Sequence, residues 1–354
     1  MIRFNITKYA ALIFTALTVS ACSSFGYYMD LMAGHSELLE QQKPISEILV
    51  DKETNLKLRE LLETSQNIRN FASNSLDLPE NDSYRMYADL KRRYAVWNVI
   101  AAKEFSIEPK KWCFLFVGCL SYRGYFSKED AVAYASELKS EGYDVYVAGA
   151  SAYSTLGWFD DPLLNTMMYK SEARRAGVIF HELAHQVVYI EGDSAFNEAF
   201  ATTVEEEGIQ RWMAKKGQNE QYEAYLLDKK RNSEINKLLQ ETRDQLKDLY
   251  ETNISRKEKR SEKRRLFSLM QNNYSELKKS WGDYNAYDKW MNQELNNAHL
   301  LLIATYHDLV PTFKTMLKKE NFNLKQFYNM VEKYGELNKE ERKKKLIQIA
   351  RFNN

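Results

Sequence analysis

Cysteine, proline and glycine are all scarce, with 3, 5 and 13 of them in 354 residues. Three cysteines exclude a disulfide-dense scaffold and a four-thiolate zinc site. So little glycine and proline excludes a collagen-like chain or a Pro/Gly-rich low-complexity one. Neither sign of charge dominates: Lys+Arg is 50 and Asp+Glu is 49, for a net charge of +1. The global basic field of a nucleic-acid binder is therefore absent, and nucleic acid is not an expected partner. What remains is 44% apolar and 28% charged. That is enough chain to bury a sizeable core in one large domain or two smaller ones.

The amino terminus stands apart. Arg3 and Lys8 precede an apolar run, Tyr9 to Val19, and then Val19-Ser20-Ala21-Cys22. The run is too short to span a bilayer comfortably and has the flanks of a signal peptide. A small-residue cleavage site ending in cysteine resembles the bacterial lipobox. That resemblance implies removal of residues 1–21 and lipidation at Cys22. Ser23 stands where an Asp would resemble an inner-membrane retention signal, so the expected location is the cell envelope, as an outer-membrane lipoprotein facing the periplasm. Without Arg3 and Lys8 the chain carries 48 basic and 49 acidic residues. Membrane attachment would then be through acyl chains, not through a basic surface. In an oxidising compartment the two remaining cysteines, Cys113 and Cys119, read as a disulfide closing a short loop; the alternative is a pair of buried thiols.

Residues 27–90 read as largely helical, with Pro44 breaking the run. Residues 94–160 read as a small sheet with short β-like stretches at 94–100, 112–117, 120–126 and 143–148. A helix between the last two starts at a Ser127/Asp130 box and ends at Gly142. Two helices follow within 171–216, near 171–190 and 194–216. Between Asp228 and Arg265, 21 of 38 residues are charged, with Ile235, Leu239, Leu246 and Leu249 as a sparse helical stripe. Residues 220–280 are therefore expected to form a charged arm, a long solvent-exposed helix or a helical hairpin, rather than a core element. Its basic block, Arg256–Arg265, reads as a solvated helix end or, more sharply, as a contact for anionic headgroups or peptidoglycan. Residues 281–354 are expected to be C-terminal helices that complete the cleft.

His181-Glu182-Leu183-Ala184-His185 is an H-E-x-x-H pattern. On a helix, positions i and i+4 differ by about 40°, so both imidazoles leave one face and converge on one ion. Glu182 lies between them and is free to take a proton from the water held at the metal. Ile179, Phe180, Leu183, Ala184, Val187 and Val188 supply an apolar remainder, in which two histidines and a glutamate are costly to bury without partners. The competing reading is a helix whose histidines merely hydrogen-bond in the core.

For a third ligand, Glu191 is disfavoured, because Val188 stands where a glycine would be needed to turn the chain back. Glu198 is favoured. Gly192 can end the first helix, Asp193 or Ser194 can cap the second, and an antiparallel pair then sets Glu198 opposite the imidazoles. Two neutral histidines and one carboxylate leave a fourth position open, the arrangement of catalytic zinc. Glu205, two turns on, either orients a histidine as hydrogen-bond acceptor or is one more surface carboxylate of Glu205-Glu206-Glu207.

His181-Glu182-x-x-His185 followed by Asn197-Glu198-Ala199-Phe200-Ala201 resembles the gluzincin metallopeptidases. The second segment is similar to the N-E-G-F-A stretch of zinc aminopeptidase-N-like enzymes. A wider pattern resembles a bacterial family of predicted aminopeptidases, many of them lipoproteins. It takes in Trp112-Cys113 with Gly118-Cys119, Tyr122-Arg123-Gly124-Tyr125-Phe126, the run Ala152 to Pro162, and Asn296-Asn297-Ala298 with Ala304-Thr305-Tyr306. The resemblance implies one Zn2+ held by His181, His185 and Glu198, with Glu182 as base and a downstream donor for the oxyanion. Tyr306 is the first candidate for that donor and His307 the second. Asn197, Tyr153, Ser154 and Gly157 are weaker candidates for shaping the site or pairing with an extended substrate.

The expected fold is α+β and mostly helical, with a small sheet packed on a zincin-type helix pair within a catalytic region spanning 22–280. The expected function is a zinc-dependent peptide hydrolase of the bacterial envelope, either an aminopeptidase or another small-peptide metallopeptidase. Its partners are a peptide substrate and, through the lipid anchor, the membrane. The competing class is a catalytically inactive envelope lipoprotein that keeps the fold and binds a partner.

Overall fold

Side-chain caps start several of the helices in the computed structural model, which describes residues 26–114, 118–152, 159–301 and 309–351. Helix α1 covers residues 26–40. It is followed by β1 (Gln42–Pro44), α2 (Ile45–Val50) and α3 (Leu56–Leu76), the last capped by Asn55, whose side chain accepts from the Lys57 N–H. Pro44 therefore does more than break a helix. It ends an edge strand, where a missing N–H costs no ladder bond, and stands at the N-cap of α2.

Two small sheets frame the next stretch. β1 pairs antiparallel with β2 (Met86–Ala88), and β2 pairs parallel with β8 (Leu163–Leu164). In the other sheet β3 (Val96–Lys103) lies between β6 (Arg123–Tyr125) and β7 (Tyr143–Ala150), antiparallel to both. A hairpin of β4 (Trp112–Phe114) and β5 (Gly118–Leu120) sets Cys113 opposite Cys119, and a disulfide joins them. Helix α4 (Lys128–Ser140) packs on this sheet, with Ser127 accepting from the Asp130 N–H at its start.

Helices α5 (Glu172–His185) and α6 (Ser194–Lys216) pack on each other and on α3. Ser171 caps α5, Asp193 caps α6, and Gly217, at φ 65°, ends α6 in the left-handed conformation that glycine accepts without strain. The two helices approach closely. A Cβ on Gly177 would meet Glu205 Oε1 at 2.8 Å, and one on Gly208 would meet the Phe180 ring at 2.5 Å. Phe71, Phe180, Phe196 and Phe200 fill the core with Phe313 of α11 (Val310–Lys319) and Phe327 of α12 (Leu324–Gly335). Helix α13 (Lys339–Arg351) closes this end; Arg342 forms an ion pair with Asp193 at 2.7 Å.

The charged arm is a helical hairpin, α7 (Asn219–Glu251) and α8 (Arg256–Lys279). It has a core of its own, unlike the solvated arm the sequence suggests. Ile235, Leu239 and Leu246 are buried against Leu266, Phe267, Met270 and Tyr274, with Trp281, Leu295 and Leu300 beyond them and Met291 supplied by α9 (Asp288–Met291). A stripe too sparse to form a core alone suffices once the second helix supplies a facing one. Much of the basic block is neutralised within the chain. Arg256 and Arg260 pair with Glu104, and Lys263 pairs with Asp144. Helix α10 (Asn297–Leu301) ties in beside them; Asn297 Nδ2 donates to the carbonyls of Lys103, Glu104 and Ser106. Among the described residues, no helix is long and apolar enough to cross a membrane.

Candidate metal centre

Helix α5 ends at His185, five residues earlier than its apolar pattern suggests. Its last turn tightens, the Gln186 N–H donating to the Leu183 carbonyl and the Val187 N–H to the Ala184 carbonyl. Farther along, the returning chain is fixed by Asn197, which is 2% exposed. Its Oδ1 accepts from the Ile190 N–H and its Nδ2 donates to the Ile190 carbonyl, both at 2.8 Å. Ile190 is thereby paired with a side chain rather than with a helical neighbour, and the chain turns back. Asn197 thus acts on the turn that brings α6 against α5.

That turn sets Glu198 between the two imidazoles. His181 Nε2 lies 3.2 Å from Glu198 Oε2, and His185 Nε2 lies 3.7 Å from Glu198 Oε1. The rings are 4.9 Å apart between centroids and nearly perpendicular, at 84°. One ligand atom from each residue lies within 4.8 Å of the other two. A tetrahedral ion with bonds near 2.0–2.1 Å needs its ligand atoms about 3.3 Å apart. The two nitrogen–oxygen separations bracket that value. The donor set fits a divalent ion, and His181, His185 and Glu198 can hold one.

Glu205, one of two open readings in the sequence, faces inward. Its Oε2 lies 3.1 Å from His181 Nδ1, so the carboxylate holds the ring with Nε2 turned toward Glu198. Burial works against charge on His181, but the hydrogen bonds to Glu198 and Glu205, with the Glu205 and Glu182 charges, outweigh it and hold the pKa well above the usual imidazole value. His185 is pushed down to about 4, first by burial and then by the charge of His181, so it stands neutral with a lone pair ready. Changing Glu205→Gln keeps the shape but loses the charge behind His181. Metal affinity is then expected to fall by about 10–100-fold, read by competition with a chromogenic chelator; unchanged affinity would return Glu205 to the surface reading.

The structure adds residues that the motif does not reveal. Gln186, at the C-cap of α5, accepts from Asn81 Nδ2 at 2.7 Å and donates to Ser83 Oγ at 3.2 Å. The 79–85 loop that carries them is organised by Arg69, which is 0% exposed. Its guanidinium donates to the carbonyls of Pro79, Asn81 and Ser83 at 2.8–2.9 Å. Tyr84, next in the loop, has φ 65°, a conformation bulky side chains rarely adopt. It is held there by its N–H donating to the Asp161 carbonyl at 2.6 Å and by Gln66 donating to its own carbonyl. Burial, and then the charges of Glu182 and Asp161, push the Tyr84 phenol well above its ordinary pKa. A neutral phenol therefore sits in the field of the Glu182 carboxylate.

Tyr189 is the other addition. Its ring meets His185 edge-on at 6.3 Å, yet the residue is 43% exposed, so it stands at the mouth of the site. Burial, with the charges of Glu198 and Glu191, raises its pKa and keeps the phenol a donor. The 181-185-189 spacing could have drawn attention to it. Glu191 is exposed and takes no part in the three-residue cluster. Cys22, Tyr153, Ser154, Gly157, Tyr306 and His307 lie outside the described residues.

Neither a curated protein nor a solved structure matches the chain. Residues 26–346, from α1 into α13 and including the histidine helix and its glutamate partner, match the family described as "Putative aminopeptidase". With nearly the whole described chain covered, the protein belongs to that aminopeptidase family.

Proposed function

We propose that the protein is a zinc-dependent aminopeptidase of the bacterial envelope, anchored through Cys22. The observation that carries the metal part is the convergence of His181, His185 and Glu198 within 4.8 Å, with Glu205 behind His181. Two imidazoles and one carboxylate suit zinc among the common divalent ions and leave a position for substrate. When bound, the ion supplies Lewis acidity that polarises the peptide carbonyl and makes water acidic enough to attack at neutral pH.

The chain's own residues do the rest. His181 and His185 present Nε2 on one face of α5, and Glu205 fixes the orientation of the first. The Glu182 carboxylate takes the proton of the attacking water and delivers it to the nitrogen of the departing amine. Tyr84, a neutral phenol in the field of that carboxylate, helps fix its environment. Tyr189 donates its O–H to the carbonyl oxygen as negative charge develops there. Tyr306 and His307 are the other candidates for that donor.

Two measurements test this reading. Metal analysis of the purified protein should find about one zinc per chain, and mass-spectrometric mapping of a peptide library should show single-residue trimming from the amino end. Internal cuts would overturn the aminopeptidase assignment, and no cleavage by the zinc-loaded protein would overturn the enzyme. For the donor, Tyr189→Phe is expected to lower kcat by about 10²–10³-fold with KM and zinc content unchanged. If Tyr306→Phe has that effect and Tyr189→Phe does not, the role belongs to Tyr306.

A further inference from the structure

Helix α1 has two apolar faces, and among the described residues only one of them is covered by protein. The inner face carries Tyr27 and Leu38, 7% and 1% exposed. It is pinned in rotation. The Tyr27 hydroxyl donates to the Gly124 carbonyl at 2.9 Å, and the Arg123 guanidinium stacks 3.9 Å above the Tyr27 ring. Gly34 lies flat on Phe126, where an added Cβ would fall 2.4 Å from the ring. The outer face carries Met29, Met32 and Leu39 at 49%, 65% and 41% exposure, with exposed Ala33 and Ser36 between them. At 100° per residue these five side chains fall within an arc of about 120°. Exposed Phe159, its ring 5.2 Å from His35, continues the patch beyond the helix.

We propose that this outer face of α1 rests on the surface of the membrane to which Cys22 is anchored, so that the protein is held against the bilayer in one orientation. The inference depends on the lipoprotein reading of Cys22. Only Ser23, Ser24 and Phe25 separate that residue from the first residue of α1. Four residue steps reach about 14 Å at full extension, so α1 must begin close to the headgroup layer. A helix held there with a solvent-facing stripe of methionine and leucine gains by sinking it about 5–10 Å into the boundary between headgroups and acyl chains. Charge does not assist. Asp30 and Glu37 border the arc on one side, and Glu40, the last residue of the helix, falls within it between Met29 and Ala33. Contact should therefore occur on zwitterionic lipid and be insensitive to salt, unlike that of a basic amphipathic helix.

The test uses the full chain, acylated and reconstituted into phosphatidylcholine vesicles. With Cys22 acylated and Cys113 bonded to Cys119, a new cysteine is the only free thiol to label. A nitroxide at Met32→Cys should collide more with dissolved oxygen than with a water-soluble nickel chelate, whereas one at Lys237→Cys, on the exposed side of α7, should show the reverse. With Met29→Asp and Met32→Asp together, a nitroxide at Leu39→Cys should turn water-like while the acyl anchor keeps the protein on the vesicles. An acylated protein whose label at 32 behaves as in water overturns the proposal. So does one whose label is shielded from both reagents, since that would place a protein surface on α1. A chain without acyl groups in the mass spectrum overturns the lipoprotein reading itself, and the proposal falls with it. The spectrum thus separates the two failures.

Discussion

Glu182→Gln is expected to lower kcat by about 10³-fold, or about 4 kcal/mol of transition-state stabilisation, while zinc content stays at the native level. The side chain keeps its size and loses its charge, and with it the ability to take and return a proton. The ligand atoms come from His181, His185 and Glu198, so the amide should leave metal binding intact. Rate and metal content are therefore predicted to separate, as they would not for a ligand. Glu198→Ala, in contrast, should lose both. Equal cleavage by native protein and Glu182→Gln, at equal metal loading, would remove Glu182 as the base. The comparison also addresses the inactive-scaffold alternative, which predicts cleavage by neither protein.

Arg69→Met is expected to cost about 3–5 kcal/mol of stability, measured by urea unfolding, and to reduce activity as well. The guanidinium is sealed from solvent and satisfies three main-chain carbonyls besides Ser73 Oγ. Methionine fills much of the space but leaves those carbonyls buried without donors. Burial, and then the neighbouring Arg85 charge, lowers the pKa of Arg69 below the ordinary arginine value. Activity should suffer because the loop it organises is bonded to Gln186, directly after His185, and holds Tyr84 in its left-handed conformation. A stability loss below about 1 kcal/mol would mean that the carbonyls find water, and that the loop is less enclosed than it looks.

Much of the local architecture could be read in advance. The Ser127 cap of α4, a cap of α6 at Asp193 or Ser194 and the mostly helical α+β class all follow from short-range rules. The placement of both imidazoles on one face of α5 belongs with them. The bond between Cys113 and Cys119 was one of two readings, and the structure holds it. Harder to read was the turn after α5, because the side chain that fixes it, Asn197, lies seven residues beyond the Ile190 it pairs with. Residues 220–280 depart from the expected exposed arm because the sparse stripe of α7 meets a facing stripe on α8.

The 3.6-residue period and single-residue capping chemistry determined, from sequence alone, that His181, Glu182 and His185 form a motif on a helix and that a second helix starts from a cap at Asp193 or Ser194. Those features depend on neighbours a few positions apart. Only the tertiary structure decided that Glu205 faces inward while Glu191 stays outside, and that Tyr189 stands at the mouth. It alone set Arg69 and Tyr84, about a hundred residues away along the chain, behind the site. Such choices turn on how α3, α5 and α6 interlock around Phe71, Phe180 and Phe200. Close packing allows one arrangement of those side chains, and no periodicity in the sequence encodes it.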